Sequence, residues 1–247
     1  MYTIFDIEAD NLLYDATQIW CIIALRDSIF HIYHVPHDNI TYPENTEVYL
    51  DINSFLDFLS NQEKLVGHNI IGYDLPLLKK LHGFKYEIST LSLDDTHIMS
   101  RLFYPDREEH SLEYFGKLLK NQKISYTDFS KFSQEMLDYC IQDVVLNDHV
   151  YKYLLAEKDD WDWTEALKLE YNIWNIQQKQ EQYGVLFDVK AATELYNKID
   201  IEIQEIETKV ISEVPLRPVN QGELKKIFLK NGDYTTPVKE WIDEFNV

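Results

Sequence analysis

Residues 1–13 read MYTIFDIEADNLL. Residues 2–8 alternate and are rich in β-prone types, which predicts a strand. Residues two apart on a strand share a face. Asp6 and Glu8 therefore point one way, and Phe5 and Ile7 the other. Two adjacent carboxylates on a buried strand repel, and each tends to keep its proton unless something positive lies between them. A divalent metal relieves that repulsion, because hard cations take oxygen ligands. The competing reading is a solvated strand face, and D-x-E alone does not decide between the two.

Outward from this strand, TQIWCIIALRD (17–27) and SIFHIYHV (28–35) predict two more, giving an antiparallel three-strand start. Residues 53–60 predict a helix with Asn53 as its N-cap. KLVGHN (64–69) is a short buried strand running into a loop. Residues 72–83 predict a helix with Pro76 in its first turn and Gly83 as its stop. Residues 91–103 predict a strand followed by a helix, and 111–119 another helix. The longest helix covers 133–157, with an apolar stripe of Met136, Cys140, Val144, Tyr151 and Leu155. Beyond the junction DDWDW (159–163), two long helices follow, with YGVLFD (183–188) between them. One carries Trp163, Leu167, Tyr171 and Trp174, and the other Leu195, Ile199, Ile203, Ile206 and Val210. Both stripes read as packing faces. PLRPVNQ (215–221) ends the second and precedes a short helix over 222–232.

Composition narrows the classes. The 247 residues are 45% hydrophobic and 14% aromatic, which predicts a packed core rather than disorder. No apolar run approaches the roughly 20 residues of a membrane helix. The N-terminus lacks the basic and small-residue features of a secretory signal. Cys21 and Cys140 read as buried free thiols of a cytosolic protein, and the absence of CxxC or HExxH argues against zinc. The net charge of −20 argues against a general electrostatic grip on nucleic acid. A site that holds divalent cations must itself be acidic, so a nucleic-acid enzyme is still allowed. Small basic clusters survive at Lys117, Lys120 and Lys123, and at Arg217, Lys225, Lys226 and Lys230.

Two further stretches matter. In GHNIIGYDLPLL, Asn69 and Asp74 flank a glycine-containing turn, and Asp74, taken by itself, reads as a helix cap. In DYCIQDVVLND, Tyr139 and Asp143 are i and i+4 on a helix and project together, as a bordering hydrogen-bonded pair would. Asp138 and Asp148 read as solvent-side charges.

Together, the strand D-x-E, the N-x4-D and the helical Y-x3-D resemble the proofreading-type 3′→5′ exonucleases that carry four acidic ligands and a tyrosine. FDIEAD matches the first motif, GHNIIGYD the second and YCIQD the third. The sister group has His five residues before the last Asp, where this chain has Asp138. TQIWCI, DTHIMSRLFYPDR, HSLEYFGKLL and QKQEQYGVLFDVKAATELY also resemble segments of phage-type family A DNA polymerases, in the same order.

The resemblance implies an α/β, ribonuclease H-like mixed sheet flanked by helices over 1–160, an exonuclease domain. A helical extension over 161–247 would resemble the start of a polymerase thumb. It implies removal of mononucleotides from single-stranded or mismatched DNA 3′ ends, with no polymerisation by this chain alone. Two divalent ions, Mg²⁺ with Mn²⁺ able to substitute, would be held by Asp6, Glu8, Asp74 and Asp143. Asp6 would bridge, Glu8 and Asp143 would complete one site, and Asp74 would hold the second ion. Tyr139 would orient the attacking water. His68, Asn69 and His110 are candidate substrate contacts. The implied partners are a single-stranded 3′ end and a DNA polymerase domain or subunit, with no membrane, in the cytoplasm of a host cell if phage-encoded. The rival readings are a non-catalytic nucleic-acid- or polymerase-binding module, and a 3′→5′ exoribonuclease, since ribonuclease D-like enzymes share the same acids.

Overall fold

The computed structural model describes residues 1–86, 88, 92–158, 160–213, 227–229 and 232–245. The chain divides into two compact units, Met1–Gly184 and Val185–Val247.

The first unit is built on a six-stranded mixed sheet. Its strands are β1 (Thr3–Ala9), β2 (Ile19–Arg26), β3 (Ile29–His34), β4 (Thr46–Tyr49), β5 (Leu65–Gly67) and β6 (Leu93–Asp95), in the order β4-β3-β2-β1-β5-β6. The first three are antiparallel, as expected, and turn at Asp27 and Ser28, both with positive φ. β4 runs parallel to β3, β5 parallel to β1, and β6 parallel to β5. β4 was not anticipated. TEVY is four residues long at a sheet edge, with its two middle side chains exposed, so it carries no hydrophobic alternation.

β1 lies between β2 and β5, and every residue in it except Asp6 is buried. Phe5 and Ile7 enter the core on one face, while Asp6 and Glu8 face α5 (Gln134–Glu157), which packs across β1 and β2. Met136, Cys140, Val144 and Tyr151 are buried on α5 as expected, but Leu155 is 37% exposed. The 3.6-residue period carries the buried stripe through Asn147, Val150 and Leu154 instead.

The other helices of this unit are α1 (Ile52–Ser60), α2 (Asp74–His82), α3 (Thr96–Phe103), α4 (Leu112–Leu118) and α6 (Thr164–Tyr183). Asp51, not Asn53, caps α1, accepting from the Ser54 amide at 3.0 Å. Gly83 ends α2 in the left-handed conformation. On α6, Leu167 and Tyr171 are buried, and Trp163 and Trp174 pack against the core.

In the second unit, α7 (Val189–Glu213) carries its apolar positions exposed, from Leu195 to Val210. The link over 215–221 and most of the helix expected over 222–232 lie outside the described residues, as do Arg217, Lys225, Lys226 and Lys230. Within that stretch Phe228 is not helical; it bridges Tyr234. A helix not anticipated, α8 (Thr236–Phe245), follows. Among the described residues no helix is long and apolar enough to cross a membrane.

Candidate metal centre and cleft

Three elements deliver the acids. β1 supplies Asp6 and Glu8, the first turn of α2 supplies Asp74, and α5 supplies Tyr139 and Asp143. Asp10, the third acid of the opening stretch, is turned to another use. Its carboxylate accepts from the amides of Thr17 and Gln18 and closes the loop after β1.

The loop between β5 and α2 is held from two sides. Asn69 has φ +61°, a conformation Asn tolerates better than most residues, and its carbonyl accepts from the amides of Gly72 and Tyr73. Gly72 cannot be replaced simply: a Cβ there would lie 2.3 Å from Asn69 Oδ1. Asp95, fully buried, accepts from the amides of Asn69 and Ile71, each at 3.1 Å, while also capping α3 through His97 and Ile98. From α6, Gln178 donates to the Ile71 carbonyl at 2.6 Å, and the Tyr171 hydroxyl accepts from the Asp95 amide at 3.1 Å. Asp95 and Gln178 were not singled out in the sequence. An Asp before a helix reads as a cap, which Asp95 is, and its second pair of acceptor contacts exists only in the folded chain.

Asp74 is the first residue of α2, and Tyr73 before it, in the N-cap position, makes no side-chain capping bond. Its Oδ1 is buried with no hydrogen-bond partner, and so is Oδ1 of Asp143. The other oxygen of Asp143 pairs with Lys123 Nζ at 2.6 Å. The Cys140 thiol donates to Asp6 Oδ2 at 3.6 Å. Tyr139 packs against Tyr126 and Phe129, with Lys123 Nζ 4.7 Å from its ring centre. Ligand atoms of Asp6, Glu8 and Cys140 lie within 4.8 Å of one another.

The four acids perturb each other. Burial, then the charge of Asp143, pushes Asp6 up to about 7. Burial, then Asp6 and Asp143, pushes Glu8 up to about 9. Asp74 is raised by burial and then by Asp6. Burial raises Asp143 as well, against the opposing pull of Lys123. Burial also pushes the Tyr139 hydroxyl above its usual range, so it stays protonated. Four desolvated carboxylates, two of them with a buried oxygen that has no partner, suit divalent cations, which favour carboxylate oxygen.

A cleft of about 820 Å³ is lined by Asp6, Glu8, His68, Asn69, Tyr139 and Asp143 among others, while Asp74 is not on its wall. His68 shares a hydrogen bond with Thr96 Oγ1 at 3.0 Å, and burial lowers its pKa to about 3, so the ring is neutral. His110 does not line this cleft and pairs with Ser100 Oγ at 2.8 Å. Asp138 is exposed, as expected, but Asp148 is half-buried and accepts from the hydroxyl of Tyr2 at 3.0 Å. Lys123 belongs to a noted basic cluster, but its place against Asp143 was not foreseen.

No protein-family model matches the chain. The DNA-directed DNA polymerase of Enterobacteria phage T3 is 28% identical over 253 aligned positions, covering 77% of this chain and 34% of the polymerase. That of Escherichia phage T7 is 26% identical over 270 positions, covering 83% of this chain and 36% of the polymerase. The chain thus spans about a third of the length of these curated relatives. The resemblance carried by the motifs therefore extends over most of the chain. Among solved structures, Brucella melitensis NrnC with bound Mg²⁺ is similar, with a TM-score of 0.53 and 16% identity, covering 76% of this chain and 90% of that one. A structure described as the apo form of the nuclease has a TM-score of 0.53 at 14% identity, with the same coverage. The fold is the ribonuclease H-like α/β fold.

Proposed function

We propose that this chain is a metal-dependent 3′→5′ exonuclease that removes mononucleotides from single-stranded or mismatched DNA 3′ ends. The observation that carries this reading is a group of desolvated carboxylates that act on one another, with Asp6, Glu8 and Asp143 on the wall of one cleft, Asp74 close enough to be raised by Asp6, and buried, partnerless oxygens on Asp74 and Asp143.

Asp6, Glu8 and Asp143 would hold one ion, and Asp74, with Asp6 bridging, the second. When bound, such ions lower the pKa of water and stabilise charge on the leaving 3′ oxygen. Mg²⁺ is the expected ion and Mn²⁺ its substitute. The Tyr139 hydroxyl, held protonated, donates a hydrogen bond and orients the attacking water rather than serving as a base. Asn69 and His68, on the cleft wall, contact the terminal nucleotide as neutral hydrogen-bonding groups. His110, held by Ser100 off the cleft wall, is the weaker candidate for a substrate contact. The clamp of Asp95 and Gln178 fixes the loop that carries Asn69 and leads into Asp74.

The flanks that resemble phage polymerases favour DNA over RNA and a polymerase domain or subunit as partner, with residues 161–247 as a thumb-like extension whose first helix, α6, belongs to the compact unit of the site. Such a partner supplies what the net charge of −20 denies the chain, a high local concentration of primer ends. The test is digestion of matched single-stranded DNA and RNA oligonucleotides with Mg²⁺, resolved at single-nucleotide steps. Stepwise loss from the 3′ end of DNA, at least about tenfold faster than from RNA, is expected. Preference for RNA would move the assignment to the exoribonuclease. Binding without cleavage of either strand would move it to the binding module.

A further inference from the structure

Two lysines line the cleft, and they sit differently. Lys117 is 69% exposed and pairs with Glu113 at 2.7 Å, one turn away on α4. Lys123 is only 24% exposed, lies 2.6 Å from Asp143 Oδ2 and stands over the Tyr139 ring. Its charge also acts on Asp6 and Glu8. Of the two, only Lys123 touches the acidic cluster.

We propose that Lys123 is the resident counter-ion of the cluster, and that a divalent ion arriving at the carboxylates displaces its ammonium into the cleft. This inference rests on the metal-dependent reading of the site. Lys123 pairs with one oxygen of Asp143 only, and the other oxygen of Asp143 stays partnerless beside it. An ammonium and a divalent ion on the same carboxylate repel each other, so each weakens the other's hold. Lysine suits such exchange: its charge is compact and its four-carbon stem flexible, so the ammonium can leave while the backbone stays. Displaced, it stays among the cleft-lining side chains of Gln122, Ser125 and Tyr126. There its charge faces an incoming phosphate.

The test is Mn²⁺ binding, followed by electron paramagnetic resonance on EDTA-stripped full-length protein. Lys123→Met is expected to bind Mn²⁺ at least about tenfold more tightly than wild type. Lys123→Arg is expected to bind no more tightly than wild type, and Lys117→Met to stay within about twofold of it. Unchanged or weaker binding by Lys123→Met, or equal tightening by Lys117→Met, would overturn the inference. If Lys123→Met does not fold, reductive methylation of the wild-type lysines, read by peptide mass spectrometry, decides. Modification of Lys123 should rise when Mg²⁺ is added, and no rise overturns the inference. Wild-type protein that binds Mn²⁺ and trims DNA beside an unaltered Lys123→Met variant defeats this inference alone. Wild-type protein that binds no Mn²⁺ defeats the metal-dependent reading with it.

Discussion

Asp6→Asn is expected to slow 3′-end hydrolysis by at least about a thousandfold while making the metal-free protein more stable. The two effects have one cause. Asp6 sits on the central strand, its carboxyl raised to about 7 by burial and by Asp143, and its own charge raises Glu8 and Asp74. An amide of the same shape keeps an acceptor for the Cys140 thiol and removes the repulsion. Relief of such repulsion is worth about 1–3 kcal/mol. Activity is read in single-turnover digestion of a 5′-labelled single strand, and stability in urea unfolding with EDTA. An active variant would remove Asp6 from the centre of the site. An inactive variant destabilised by several kcal/mol would mean that Asp6 is structural.

Metal-free stability is expected to fall as pH rises from about 4 to 9, and Mg²⁺ to oppose the fall increasingly along the way. The sign follows from proton binding. Asp6 and Glu8 have ordinary values of 3.8 and 4.5, which the unfolded chain keeps, and folded values of about 7 and about 9. At these two carboxyls the folded state therefore holds more protons through this window, which outweighs the opposite change at His68 and His97 below about pH 6.5. Its advantage is complete below about pH 4 and is lost as pH passes each folded value. The whole change should be on the order of 10 kcal/mol at most. Mg²⁺ binds the ionised carboxylates of the folded state only, so its stabilisation grows with pH. Urea unfolding at pH 5, 7 and 9, with Mg²⁺ or EDTA, reads both trends. Metal-free stability that rises across this range would contradict the site electrostatics.

The acids were legible as a site through the order of three motifs and the resemblance it carries; periodicity by itself gave only which of them share a face. A two-residue repeat puts Asp6 and Glu8 on one face of a strand, and a four-residue step puts Tyr139 and Asp143 on one face of α5. Asp74 was ambiguous: an acid at a helix start reads as a cap, and only the fold shows it inside the first turn with its Oδ1 buried and partnerless. Lys123 was not legible as part of the site. It lies in an irregular stretch between α4 and α5, where no repeat predicts direction, and a lysine there reads as solvated. Gln178 stayed hidden for a different reason: it lies on a helix, but its bond to Ile71 spans 107 residues. β4 escaped because an edge strand with exposed middle residues has no hydrophobic signature.

The most direct measurement is anomalous diffraction from crystals of the wild-type protein grown with Mn²⁺. The account predicts anomalous density in direct contact with carboxylate oxygens of Asp6 and Asp143, lost in Asp6→Asn crystals. Ordered crystals with no Mn²⁺ at these carboxylates, under conditions in which the protein trims DNA, would contradict it.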